Sequence, residues 1–570
     1  MAKLLKTKLK NTDLIIILVN ILPWVFVIFN LYNLQIVKAD DFRKNIEKKE
    51  SSKFSTIHPR RGQIYVRDKN NNVYPVAISL RTYNLYFNPK LSKNADEDFR
   101  ALKKIFLDLG YFVTDKNSSS SSSTIQTQFS RAPDKTILLK KEINEELFGI
   151  VRNLNLQAVF FEEHYKRVYP EKDFLSSIIG FVSKNKEDFL EGKYGIEKYY
   201  DELLSGESGY QLSVDKMQAP ISGKNIVLNI DYFVQKEAEK IIKEAVKDYG
   251  AQGGLVVVSE PNGKIIALAE DPSFDINKFN EVPDYEIFRT KFTQNYEPGS
   301  VMKTITYTSG IENKVFDENK IYNDTGFVVM NGWTISNFDK KARGKITLGE
   351  AFEQSLNMGS VHLEGLIGNN NFLNTLKKFK LDKPPAVDLP SLDSGNLQNL
   401  TSPFVRDVNF ATASYGHGIS VSPAHLLMAV NTIAKDGKMT NISFLSDGKI
   451  IELGNIIKPT TALRMKNLME RVVLNGGGKI AKTHGFRIGG KTGTAFVPME
   501  NKKGYSEDVI NTFVAIFPLT NPKYTMLVKI DRPAAGLSMV TTVPIAKKMI
   551  EFLINYYNLQ PDNSEELLKK

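Results

Sequence analysis

EPGSVMKTITYTSG, residues 297–310, reads as a turn ending in Pro298-Gly299 followed by a helix that begins near Ser300. A spacing of three sets Ser300 and Lys303 on one helix face. That places a hydroxyl beside an amine able to take its proton, the minimal pair for serine acylation chemistry. Val301, Met302 and Ile305 are apolar and would shelter the amine, lowering its pKa toward that of a working base. S-x-x-K also arises by chance in a chain of 570 residues, where it marks only a serine near a helix cap, so the pair needs support from elsewhere.

Two later stretches supply it. FEQSLNMG, residues 352–359, holds Ser355 and Asn357, which in a tight loop can turn toward one cleft. Ser355 would relay a proton with Lys303, and the Asn357 amide would hold a substrate amide through one donor and one acceptor. FRIGGKTGTAFV, residues 486–497, is a β-like run around Lys491, Thr492, Gly493 and Thr494. Glycine lets such a strand approach a ligand closely, while Lys491 supplies charge and Thr492 and Thr494 supply donors for a carboxylate. Backbone N–H groups of Thr494 and Ser300 would form an oxyanion hole.

Residues 485–492 also fit the phosphate-loop pattern G-x-x-x-x-G-K-[ST]. That loop needs an apolar strand before it and a helix opening at its Lys-Thr. Here polar GGGKIAKTH precedes, and GTAFVPMENKKGY follows with β-branched residues and a proline. The nucleotide reading is set aside.

Composition excludes other classes. The net charge of +11 comes from 75 basic and 64 acidic residues spread along the chain, so no basic stripe points to nucleic acid, although an anionic lipid or wall would be tolerated. With no cysteine, disulfides, thiol catalysis and thiolate metal sites are out. No metal or cofactor is implied, since hydroxyl, amine and backbone dipoles suffice for acyl transfer.

A cytoplasmic tail at 1–13 carries Lys3, Lys6, Lys8 and Lys10 before an apolar run, 14–36, long enough to cross a bilayer. It is expected to stay as an anchor with everything from about residue 38 outside the cell. Residues 38–225 read as a separate α+β pedestal. It contains a helix-like DFRKNIEKKE, hairpins in IHPRRGQIYVRDKNNNVYPVAISLRTYNLYFNPK, a mobile loop at 116–128 around Ser118–Ser123, and helices in ADEDFRALKKIFLDLG and KEINEELFGIVRNLN. Arg61 and Asp68 are expected to pair across a turn. From Gly192 a helix ended by Gly206 leads into a strand.

Residues 226–560 form the second unit. A helix capped near Asn229 or Asp231 has Val234, Ala238, Ile241, Ile242 and Ala245 on one face. A hairpin turns at Pro261-Asn262-Gly263, two strands lie in NTFVAIFPLTNPKYTMLVKIDRP, and VPIAKKMIEFLINYY is a last amphipathic helix before the polar tail, 561–570. A terminal helix on an antiparallel sheet with a helical insertion is an α+β arrangement.

S-x-x-K, S-x-N and K-T-G-T in that order resemble the penicillin-binding proteins and serine β-lactamases. RRGQIYVRD (60–68) is similar to the start of the class B penicillin-binding proteins, and YGIEKYYDELLSGESG to the end of their pedestal. GGLVVVSEPNGKIIALAEDPSFDINKFN, ARGKITLGEAFEQSLNMG and ASYGHGISVSPAHLLMAVNTIAKDG look like their transpeptidase domain. The resemblance implies that Ser300 is the acylated nucleophile, Lys303 its base, Ser355 and Asn357 the second motif, and residues 491–494 the carboxylate-holding strand. It implies D,D-transpeptidation of peptidoglycan stem peptides in septal wall synthesis, inhibition by β-lactams, and partnership with division proteins and a polytopic glycan polymerase of the shape, elongation, division and sporulation (SEDS) family. An elongation-type enzyme, a D,D-carboxypeptidase, and a β-lactam sensor or β-lactamase remain as alternatives. A β-lactamase would need a glutamate-positioned water, and Glu350 and Glu353 lie near the second motif. Three positions depart from the family pattern: Leu356, His417 and the FKL at 379–381 that stands where Phe-Gly is usual.

Overall fold

A computed structural model describes residues Tyr32, Lys38, 55–109, 135–186, 188–213, 216–499, 502, 504–534 and 536–563. The expected anchor (all but Tyr32), the helix-like 41–50 and the serine loop lie outside them. Among the described residues no helix is long and apolar enough to cross a membrane.

The pedestal is built on β1 (Ile64–Arg67) and the long β2 (Val73–Phe87), joined as an antiparallel hairpin. Helix α1 (Ala95–Asp108), β3 (Ile137–Ile143), α2 (Glu145–Asn153) and β4 (Val159–Val168) follow, with β3 and β4 pairing along β2. Asn144 caps α2 by accepting from the Leu147 N–H. Two short helices, Gly195–Tyr199 and Asp201–Ser205, stop at Gly206 before the strand Gly209–Ser213. Strand β5 (Ile226–Asp231) opens the second unit yet pairs in parallel with β1, so one strand belongs to both.

The expected Arg61–Asp68 pair does not form. Asp68 instead closes its own turn, accepting from the Asn70 and Asn72 N–H groups and the Tyr74 hydroxyl. Arg61 is fully buried and bonds Glu197 at 2.7 Å and Asp201 at 2.6 Å. Arg167 reaches the other Glu197 oxygen at 2.6 Å. An unpaired buried guanidinium is too costly to tolerate, and the Asp68 carboxylate is already filled by its local donors.

In the second unit α3 (Tyr232–Asp248) starts at Asp231, whose carboxylate accepts from the Phe233 and Val234 N–H groups. The hairpin β6 (Gly253–Ser259) and β7 (Ile265–Asp271) follows. Then come α4 (Lys303–Glu312), α5 (Leu348–Glu353), α6 (Asn357–Ile367), α7 (Pro423–Ala434) and α8 (Pro459–Leu474). Strands β8 (Gly489–Pro498), β9 (Tyr505–Phe517) and β10 (Tyr524–Asp531) and helix α9 (Thr542–Tyr557) complete it. The sheet is antiparallel in the order β7-β6-β10-β9-β8, which leaves β8 at an edge.

Both faces of this sheet are covered, which is why β6 reads as an unbroken apolar run rather than an alternation. Val256 and Val258 pack with α3 and α9 through Val234, Ala238, Ile545 and Met549. Leu255 and Val257 face the opposite core with Met302, Ile305 and Leu363 of the helical region. Helix α7, buried at every position, fills that second layer.

Candidate active site

Ser300 lies in a short 3-10 turn, Gly299–Met302, that runs directly into α4 at Lys303. The expected single helix is thus a 3-10 turn followed by an α-helix, and a 3-10 turn stacks residues i and i+3 above one another. Ser300 is half-buried, while Lys303 beneath it is fully buried. Helix α4 is enclosed from Lys303 to Ile311, and Val301, Met302 and Ile305 are buried as well.

The second motif forms the gap between α5 and α6. The capping box of Thr347 and Glu350 fixes the start of α5. Its end closes when the Leu356 N–H donates to the Ala351 carbonyl at 2.8 Å. That closure needs a left-handed residue, and Ser355 takes it at φ 60°, at a cost of about 1 kcal/mol for a residue with a Cβ. Leu356 buries its side chain in the core, and Asn357 begins α6.

Lys303 Nζ donates to the Ser355 carbonyl at 2.6 Å and to Asn357 Oδ1 at 2.8 Å, with Ser355 Oγ farther off at 3.4 Å. Lys491 Nζ donates to Ser355 Oγ at 2.8 Å and to its neighbour's carbonyl, Thr492 O, at 2.9 Å. Asn357 spends one amide proton on the Ser336 carbonyl at 2.9 Å. The Ser300 hydroxyl makes no hydrogen bond to a described residue. Burial, and then the neighbouring Lys491 charge, hold the Lys303 pKa well below that of a free lysine. Burial alone pushes Lys491 down to about 7. A neutral amine has two N–H bonds and one lone pair. With both protons given to the two carbonyl oxygens, the Lys303 lone pair is the part left for a hydroxyl.

Strand β8 lies against the serine turn because Gly493 has no side chain. A Cβ there would stand 2.8 Å from Val301 Cγ2 and 3.1 Å from the Pro298 carbonyl. Lys491 and Thr492 fall in mid-strand, not at a helix start, so the phosphate-loop geometry is absent. The Thr494 hydroxyl donates to Asn511 Oδ1 at 3.0 Å, and the Ser538 N–H reaches it at 3.4 Å. Strand β8 is an edge strand beside the serine turn.

A family model described as the penicillin binding protein transpeptidase domain matches residues 253–551, and one for the penicillin-binding protein dimerisation domain matches 56–228. The chain belongs to the penicillin-binding protein transpeptidase family. It is 25% identical to the peptidoglycan D,D-transpeptidase FtsI homolog of Mesostigma viride, covering 93% of each chain. It is also 25% identical to the probable peptidoglycan D,D-transpeptidase PbpC of Pseudomonas aeruginosa, over 88% of each. The fold matches penicillin binding protein 2X of Streptococcus thermophilus with a TM-score of 0.75 at 21% identity, over 90% of this chain and 82% of that one.

His417, one of the departures from the family pattern, stands with Glu297 and Tyr505, to which the sequence assigns no role. Glu297 accepts from the Gly418 N–H at 3.0 Å and the Tyr505 hydroxyl at 3.1 Å, and His417 Nδ1 stands 3.7 Å away. Burial raises Glu297, whereas burial and then the Lys303 charge push His417 down to about 4. That low value favours the neutral imidazole beside Glu297. Glu297 sits inside the first motif, but nothing in the pattern foretells Tyr505, on β9. The glutamates near the second motif are engaged elsewhere: Glu350 in its capping box, Glu353 with Arg471 at 3.2 Å. Where the family's usual Phe-Gly is replaced, Lys380 carries the left-handed backbone itself, at φ 56°.

Proposed function

We propose that the protein is an acyl-serine D,D-transpeptidase of peptidoglycan synthesis. The observation that carries this is the Lys303 amine, deeply buried, with its two protons given to Ser355 O and Asn357 Oδ1. Ser300 Oγ gives its proton to that lone pair and attacks the carbonyl carbon of a D-Ala–D-Ala bond. The oxyanion is met by the backbone N–H groups of Ser300 and Thr494. Lys303 then passes a proton through Ser355 to the leaving D-Ala amine, which departs and leaves an ester on Ser300. An amine from a second stem attacks the ester, its proton returns by the same route to Ser300 Oγ, and a cross-link forms. Lys491, Thr492 and Thr494 attract the terminal carboxylate, and a β-lactam enters as the same carboxylate-bearing amide.

Intact-mass analysis after penicillin exposure, with fragmentation to locate the adduct, tests this. The adduct should sit on Ser300 and vanish in Ser300→Ala; an adduct on another serine would end the proposal. Hours-long persistence separates it from a β-lactamase, and a cross-linked product with an amine acceptor separates it from a carboxypeptidase.

A septal role is supported by the FtsI name of a relative and by the division-type look of VAISLRTYNLYFNPK. Depletion should give filaments; rounded cells would assign it to elongation. We further propose that residues 14–36 are a single membrane anchor, with the groove outside the cell and a SEDS-family polymerase as partner. The apolar run and its lysine-rich flank support this. Protease protection of residue 38 onward in intact spheroplasts would refute it.

A further inference from the structure

We propose that His58, His164 and Asp188 form a binding site for one divalent transition-metal ion of the zinc class, in the pedestal and apart from the groove. Their ligand atoms all lie within 4.8 Å of one another. They come from three segments: the chain entering β1, the strand β4, and the connection between the short strands Val182–Lys184 and Leu190–Gly192. His58 and His164 face each other with ring centroids 5.2 Å apart, at the edge of a cavity of about 180 Å³.

The independent sign is His164 itself. It is more than nine-tenths buried, and its Nδ1 has no hydrogen-bond partner among the described residues. Nδ1 points at Asp188 Oδ2 from 3.8 Å, too far for a hydrogen bond. Nε2 stands 2.9 Å from Glu162 Oε2, close enough to pair with that carboxylate. A buried ring nitrogen such as Nδ1 is rarely left without a partner. A carboxylate on the far ring nitrogen is how metal-bound histidines are commonly oriented. Two nitrogen donors and one carboxylate, with a water completing four, suit zinc better than calcium or magnesium, which prefer all-oxygen shells. Ligand atoms on a tetrahedral ion lie about 3.3 Å apart, so closure asks for side-chain movements of roughly an ångström. Lys184, which bonds Asp188 at 3.0 Å, is partly exposed and would swing away or keep the outer oxygen. The ion would tie the chain entering the pedestal to its central sheet.

The test is equilibrium dialysis of the untagged full-length protein in detergent against micromolar Zn²⁺, followed by metal analysis and the visible spectrum of the Co²⁺ form. One ion per chain is expected, with tetrahedral cobalt bands and a rise in Tm. Binding should weaken at least tenfold in both His58→Ala and Asp188→Asn, while penicillin acylation stays at the wild-type rate. Asp188 is exposed and asparagine nearly isosteric, so that variant will fold. No ion retained by the wild type, or equal retention by both variants, overturns the proposal.

Discussion

Lys491→Met removes a buried charge while keeping an apolar stem, and its main effect should be on the other lysine. Both amines approach one hydroxyl, Ser355 Oγ, at 2.8 and 3.4 Å, so they stand no more than about 6 Å apart. At an effective dielectric of about 20, two unit charges at about 6 Å repel by about 2.8 kcal/mol. That repulsion is one of the two causes holding Lys303 low, burial being the larger. It acts only while Lys491 is charged, below about pH 7. The neutral Lys303 is the working base, so acylation rises with pH through its pKa. In Lys491→Met that pKa rises and the acid limb of the pH–rate profile should move to higher pH. The assay is the second-order rate of Ser300 labelling by a fluorescent penicillin from pH 5 to 9. Loss of carboxylate attraction lowers the rate at every pH, so the midpoint, not the amplitude, is the readout. A limb that stays in place or moves to lower pH would refute the coupling between the two amines.

Three further outcomes follow from the same contacts. Gly493→Ala should slow acylation roughly tenfold to a hundredfold, because its Cβ would press on Val301 Cγ2 at 2.8 Å and push β8 off the serine turn; adding Val301→Ala should recover part of the rate. Glu197→Gln should cost about 3–5 kcal/mol in denaturant unfolding, since it strips the shared carboxylate from Arg61 and Arg167. Burial opposes the Glu197 charge, but the two guanidinia outweigh it and keep its pKa below the usual range; that stability is present above about pH 4.5 and lost as pH falls through the depressed value, a loss the variant should not share. Glu350→Gln should shorten no adduct and lengthen none, costing only about 1 kcal/mol of stability, because Glu350 accepts from the Thr347 N–H and hydroxyl at 2.9 and 2.8 Å. A longer-lived adduct would instead make it a hydrolytic base.

What the sequence by itself determined was local. Alternation and turn chemistry gave the hairpins at 64–87 and 253–271, the 3.6 period and a cap at Asn229 or Asp231 gave α3, and the three short motifs named residues that the fold brings together, because each signal lies within a few neighbours. The tertiary structure decided what depends on distant partners. Arg61 found Glu197 136 positions away while Asp68 satisfied itself within six. The Ser300 helix became a 3-10 turn pressed on a strand almost two hundred residues later, and Ser355 went left-handed so that its carbonyl could face Lys303. Glu297 and Tyr505 met only because β9 pairs with β8 beside the serine turn. Burial is the reason for the difference: a pattern can place a lysine, but only the packed fold removes its water and chooses which oxygens take its protons.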